Sequence, residues 1–327
     1  MTSKVLVAIV TVLIGIGAAL VLYWLLNKLA ELLPSSVEHK VKPFLYILPA
    51  YLAIAVFLIY PTIQTVINSF KDQSSTEWIG LQNYTELLTN KGFQQTIFNT
   101  LLWMLIVPVV SVIIGLAVAV LADRLKPNTE KSTKTIIFLP MAVSAIGAAV
   151  IWDFIYATRP AGQPQIGLMN AVWGAFGGSP IAWLEQSQFH LNSLLLMVVL
   201  LWGQIGFSMV LLSAAVKGVP VDTMEAARID GADEKQIFFR VVVPQIKGTI
   251  ITVLITVIIG VMKIFDIVYV MTNGNFNTNV VGNEFWNQFS TFFNNGSASA
   301  IVVMLMIAVI PIMIYQVRHF KAEEANA

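Results

Sequence analysis

Few side chains in this sequence are equipped to do chemistry. Histidine occurs only as His39, His190 and His319, none three or four positions from another, so no helical histidine pair is available to hold a metal ion. Cysteine is absent, which excludes disulfides, thiolate metal sites and a cysteine nucleophile. No G-x-x-x-x-G-K-S/T stretch occurs, so the chain lacks that loop for cradling nucleotide phosphates. The clustered nucleophile, metal site or acid–base pair of a membrane enzyme does not stand out either. What remains is Lys263 and Asp266, three apart inside an apolar stretch, and the run Gln204, Phe207 and Ser208 just after Trp202. A charge near the bilayer centre costs roughly 2.5–3.5 kcal/mol on insertion scales, so Lys263 and Asp266 are expected to share a helix face where they can pair. They either border a path through the membrane or lock neighbouring helices. Gln204, Phe207 and Ser208 offer either a polar, stackable surface to a solute or helix–helix contacts. Tyr269 is placed on the same path.

The elements that position these residues must lie in lipid. Hydrophobic residues make up 57% of the 327 and charged residues 11%, against roughly 45–50% and about 25% in a soluble domain. The net charge of +1 suggests no nucleic-acid partner. A membrane helix needs about 20 predominantly apolar residues, and seven stretches qualify, near 5–26, 44–67, 98–122, 135–157, 191–216, 249–271 and 298–317. The runs are continuous rather than alternating, and only helices or closed barrels satisfy their backbone in lipid. The expected fold is therefore all-α, an integral membrane protein with about seven transmembrane helices.

Lys and Arg orient them, because cytoplasmic loops hold an excess of both. Segments 27–43, 123–134, 217–247 and the tail carry fourteen, whereas the opposite side carries Lys4, Lys71, Lys91 and Arg159. This places the C-terminus in the cytoplasm and, with seven spans, the N-terminus outside. Read instead as a cleaved signal peptide, the first span lacks a convincing small-residue cleavage site, and cleavage would leave the lysines of 27–43 on the wrong side. The external segments 68–97, 158–190 and 272–297 are longer. The first contains WIGLQNY. The second carries IGLMNAVWGAF, an apolar-faced piece suited to the membrane interface. The third is rich in Asn, Gly and Phe and has no Lys or Arg. Its amides and rings could touch a solute or a docking protein, or simply form a turn-rich loop with interfacial aromatics.

The most informative segment is the cytoplasmic loop 217–248, KGVPVDTMEAARIDGADEKQIFFRVVVPQIKG. After Pro220, Asp222 and Glu225 are spaced as a capping box, and Gly231 supplies a stop that tolerates left-handed geometry. Asp233 and Gln236 repeat the capping arrangement for a second helix, expected to end before Pro244. The result is a helix-Gly-helix bracket with its corner at Gly231. A DNA-binding helix pair has the same outline, but the loop's five basic residues are matched by Asp222, Glu225, Asp230, Asp233 and Glu234, leaving no net charge to offset phosphate. Small Ala226, Ala227, Gly231 and Ala232 instead let a protein partner approach, with Ile229 able to fill a pocket.

The stretch EAARIDGADEKQIFFRVVVP resembles the cytoplasmic signature of permease subunits of bacterial binding-protein-dependent ABC importers, matching at Glu225, Ala226, Ala227, Gly231, Ala232 and Pro244. WIGLQNY, LMNAVWGAFGGSPIAWL and KIFDIVYVMTNG are similar to the large permease of the maltose transporter and its alpha-glucoside relatives, so the resemblance covers about residue 44 to the end. It implies a six-helix permease core over 44–327, with residues 1–43 forming one extra N-terminal transmembrane helix and a cytoplasmic linker. It also implies that the 217–248 bracket is a coupling helix docking on an ATP-hydrolysing subunit, and that the cargo is a carbohydrate. The implied partners are a second permease, two ATP-binding subunits that hold ATP and magnesium, an extracytoplasmic solute-binding protein and membrane lipid, with no cofactor on this chain itself. Relatives with a known sugar site hold it with polar and aromatic residues on the spans flanking the loop. Here the comparable face of the sixth span offers Val257, Gly260, Val261 and Ile264, so those side chains do not carry over. The rival reading, an ion-gradient-driven secondary transporter, calls for ionisable residues repeated in two halves and broken helices; the sequence offers one Lys/Asp pair and no half-to-half repeat.

Overall fold

The computed structural model describes residues 2–160 and 162–326, whose regular structure is helical apart from one isolated bridge, Lys71 to Trp78. The chain divides into two compact units, Met1–Ile67 and Asn68–Ala327. In the first, α1 (Thr2–Glu31) is followed by α2 (Ser35–Ile54), which passes through a π turn, Ala55–Ile59, into α3 (Tyr60–Asn68). Tyr46 ties α2 to α1, donating its hydroxyl to Asn27 Oδ1 at 2.9 Å while its ring stacks 5.9 Å from Tyr23.

The second unit runs α4 (Gln82–Thr89), α5 (Lys91–Asp123), α6 (Pro127–Phe138), a 3-10 turn over Leu139–Ala142, and α7 (Ala145–Tyr156). It continues with α8 (Leu168–Ala175), α9 (Leu191–Lys217), α10 (Val221–Ile229), α11 (Glu234–Ile237), a π turn over Phe238–Val242, and α12 (Val243–Gln245). It ends with α13 (Lys247–Val261), α14 (Asp266–Met271), α15 (Val281–Trp286) and α16 (Asn295–Asn326). Among the described residues five helices are long and apolar enough to cross a membrane, and counting each of two bent pairs as one span gives up to seven.

Breaks in the spans account for where the fold departs from the sequence expectation. The 135–157 stretch is not one rod: the segments Pro127–Ala142 and Ala145–Tyr156 meet at 101°. Pro140 sits in the 3-10 turn, Val143 is extended, and Ser144 restarts the helix by accepting the Gly147 N–H. The 249–271 stretch is broken as well, since α13 stops at Val261 and Phe265 leaves helical geometry before α14 begins. Two of the π turns each end two residues before a proline, Pro61 and Pro244. A proline ring collides with the carbonyl four residues back, and widening the preceding turn moves that carbonyl aside so the helix continues.

α9 lies at the centre of the second unit. A Cβ on Gly206 would come within 2.7 Å of Ile137 O on α6, and one on Gly115 of α5 would meet Ser208 Cβ at 2.7 Å. Lipid supplies no hydrophobic drive between helices, so close approach at such small residues is what binds them. The Ser111 and Ser208 hydroxyls bond at 2.7 Å within that α5–α9 contact. Trp103, Leu196, Met197, Met209 and Leu212 fill the space around it.

Beyond the spans, Asn83 and Asn170 organise the long connections. Asn170 accepts from Ile181 N and Trp183 Nε1 and donates to Thr158 Oγ1 and Ile181 O, fixing α8 against its loop. Asp72 closes a turn, and the Glu77 and Thr76 N–H groups that bond its carboxylate hold it below the usual carboxylate range.

Candidate coupling site and translocation path

The bracket forms as a helix, a left-handed glycine and a second helix. Gly231 has φ +84°, the region that only glycine enters without penalty. The Gly231 N–H bonds Arg228 O and the Ala232 N–H bonds Ala227 O, both at 3.0 Å, the pairing of a Schellman stop. Asp233 and Gln236 make the reciprocal capping box, with the Gln236 N–H on Asp233 Oδ1 at 2.7 Å and the Asp233 N–H on Gln236 Oε1 at 2.9 Å. Two expectations fail here. Asp222 does not cap α10, because Pro220 occupies the N-cap and Asp222 falls inside the first turn. The second arm does not end before Pro244 but runs through it to Gln245, carried by the π turn, and bends by 68° into α13.

The underside of the bracket is apolar and packed: Val219, Ile237, Val242 and Ile246 are buried, with Met224, Ala227, Ala232 and Phe238 against them. Its far side is open. Glu225, Ala226 and Pro244 are exposed, and Ile229 at the corner is 87% exposed. An aliphatic side chain held out by a rigid corner, with small residues around it, is the geometry of a knob awaiting a socket.

Ion pairs join this bracket to the membrane helices. Glu234 takes Arg228 Nε at 3.0 Å and Arg124, at the end of α5, at 3.8 Å. Beside it, Lys217 at the end of α9 reaches Asp123 at 3.5 Å and Glu130 at 2.5 Å, and Lys134 bonds both Glu130 and Ser213. In the sequence alone these basic residues are topology signals and, for Lys217 and Arg228, members of the loop's charge balance. The i, i+4 spacing of Glu130 and Lys134 was a legible hint of pairing, whereas the Arg124–Glu234 link joins loops far apart in sequence.

Of the residues placed on the translocation path, the structure brings some together and separates others. Gln204 and Phe207 line a cavity of about 380 Å³ with Trp202, Met141, Thr256 and Gly260. Ser208 does not reach it; wholly buried, it serves the α5–α9 contact. Lys263 and Asp266 do not share a helix face, because the break after Val261 lies between α13 and Asp266, and they make no ion pair. Lys263 lines a separate cavity of about 270 Å³ with Phe265, Gly282 and Trp286. Asp266 sits in the first turn of α14, where the backbone dipoles favour a negative charge. Tyr269 stacks on Phe265 at 4.9 Å and meets Trp286 edge-on at 6.2 Å.

Comparison with known proteins agrees with this architecture. The chain is 41% identical, over 99% of both sequences, to an alpha-glucoside transport system permease protein, AglF, of Rhizobium meliloti (strain 1021). It is 45% identical to an osmoprotective compounds uptake permease protein, GgtC, of Synechocystis sp. (strain ATCC 27184 / PCC 6803 / Kazusa), over 86% of this chain and 99% of the relative. A chain of a bacterial ABC transporter involved in the import of the acidic polysaccharide alginate shares the fold, with a TM-score of 0.75 and 19% identity over 88% of this chain and 99% of that one. Residues 115–321, which hold the bracket, the ion pairs at its base and the cavity beside α9, match the binding-protein-dependent transport system inner membrane component family, and the chain belongs to it.

Proposed function

We propose that this chain is the membrane-spanning permease of an ATP-driven importer for a carbohydrate, an oligosaccharide or glycoside with alpha-glucosides first in line. The observation that carries the reading is the bracket, a rigid corner that offers Ile229 to a partner and rests on the ends of α5 and α9. The chain has no phosphate-binding loop, so ATP and magnesium belong to two separate ATP-binding subunits. A second permease completes the path, and an extracytoplasmic binding protein delivers the solute. The C-terminus lies in the cytoplasm and the N-terminus outside, with residues 1–43 adding a span and linker to a permease domain over 44–327.

The contacts support a coupling mechanism. Closure of the ATP-binding subunits displaces the corner around Glu225, Ala226, Ala227, Ile229, Gly231 and Ala232. Its packed underside and the Arg124–Glu234 pair pass the displacement to α5 and α9, and the continuous arm through Pro244 passes it to α13. Thr256 and Gly260 of α13 and Gln204 and Phe207 of α9 border one cavity, so shifting α13 against α9 reshapes it. There Trp202 and Phe207 supply ring faces and Gln204 an amide, the groups a sugar's C–H face and hydroxyls bind.

The test is uptake of a labelled alpha-glucoside into proteoliposomes holding this chain, its partner permease, the ATP-binding subunits and the binding protein. Uptake that requires ATP and survives collapse of ion gradients is the expected result. Uptake driven by an ion gradient without ATP contradicts the reading.

A further inference from the structure

A second cavity, of about 360 Å³, opens between the start of α5 and the segment 274–288, at the extracytoplasmic end on the topology above. Its walls are amides. Asn90 and Asn99 are structural: the Asn90 carbonyl caps α5, and Asn99 donates to Asn277 O and Asn279 O while accepting from Gln95. Other valences are left over. Gln95 Oε1, Gln288 Oε1 and the whole Asn277 side-chain amide have no partner within the described residues.

Glu284 is the one ionisable group on the wall. It is half-buried, and no Lys, Arg or His among the described residues lies within ion-pair reach of it. Its two oxygens accept from Asn279 Nδ2 at 2.7 Å and Gln288 Nε2 at 2.8 Å. Each carboxylate oxygen keeps a further lone pair, and a hydroxyl donating to a carboxylate makes a strong bond. A metal ion suits the site poorly. Hard cations want a shell of oxygens, and here N–H groups already point at the carboxylate while the volume far exceeds an ion. That volume falls at the lower end for small-molecule pockets, roughly 300–1,000 Å³. The half-exposed Phe276 ring adds an apolar face on the wall.

From these features we infer that this cavity is an outer subsite for a neutral, hydroxyl-rich solute, one sugar unit in size, with Glu284, Gln95, Gln288 and Asn277 as its hydrogen-bonding groups. The inference rests on the carbohydrate reading and adds to it a station that the solute occupies before the cavity beside α9.

The test uses the complete transporter in nanodiscs, without the binding protein, and saturation-transfer NMR with methyl α-glucoside and maltose as probes. Glu284→Gln and Asn277→Gly are the variants; the second removes an exposed side chain with no intramolecular bond and keeps the left-handed backbone, φ +61°, that glycine enters freely. Saturation transfer is expected in the wild type and weaker in both variants, the remainder coming from the cavity beside α9, with slower uptake and unchanged affinity for the binding protein. Equal transfer in wild type and variants, or none in the wild type, overturns the subsite. So does a variant that weakens only the binding protein's affinity, because the cavity is then a docking surface. ATP-driven sugar uptake by the wild type, measured in parallel, separates the two ideas: uptake with unaffected variants sinks only the subsite, and absence of uptake of any sugar sinks the carbohydrate reading with it.

Discussion

Gly231 sets the shape of the bracket. At φ +84° it closes one helix and frees the next to begin at Asp233. Proline is locked near φ −65° and cannot occupy that position. Gly231→Pro is therefore expected to abolish uptake while membrane insertion, measured by carbonate extraction, stays intact; Glu225→Lys, which reverses a charge on the exposed face, should do the same. A second prediction concerns the serines of the α5–α9 contact. Ser208→Val strands the buried Ser111 hydroxyl and should cost about 1–3 kcal/mol, read as a lower melting temperature, whereas Ser111→Ala with Ser208→Ala should be closer to neutral. At this scale local chemistry was legible: the glycine stop and the Asp233–Gln236 box follow from residue types at fixed offsets. The Asp222–Glu225 spacing fails as a box because it starts two residues too late, behind a proline that already occupies the cap.

Among the elements, existence was readable and continuity was not. All seven apolar stretches form helices, two of them interrupted. The break at 262–265 has no proline within it, so Lys263 and Asp266 read as neighbours on one face although Lys263 lies in the break and Asp266 opens the next helix. The π turns before Pro61 and Pro244 let helices run on where a proline normally signals an end. Long-range ion pairs left no trace in the sequence. The Arg124–Glu234 pair is exposed, where solvent screening leaves it little part in stability. Its proposed importance is mechanical. Arg124→Glu and Glu234→Arg are each expected to reduce transport per ATP hydrolysed with little change in melting temperature, and the charge-swapped double variant should recover much of the loss. Equal transport in all three would remove this link from the coupling chain.

At the scale of the whole molecule, the account describes a lever beneath the membrane and a path within it. Truncating Trp202 or Phe207 to Ala removes a ring from the cavity beside α9. Each is expected to slow uptake about tenfold, the range for a lost pocket contact, with ATP hydrolysis retained. Orientation is checked at Lys4, since a single cysteine there should react with a membrane-impermeant maleimide from outside intact spheroplasts. The native chain has no cysteine, so every such label is unambiguous. The same property gives the most direct test of the central claim, that the bracket seats in a nucleotide-driven partner. With Ile229→Cys as the only cysteine in this chain, a short bifunctional reagent in native membranes should link it to the ATP-binding subunit, with a yield that changes when ATP is added. A position 229 that never links to that subunit, in any nucleotide state, contradicts the account.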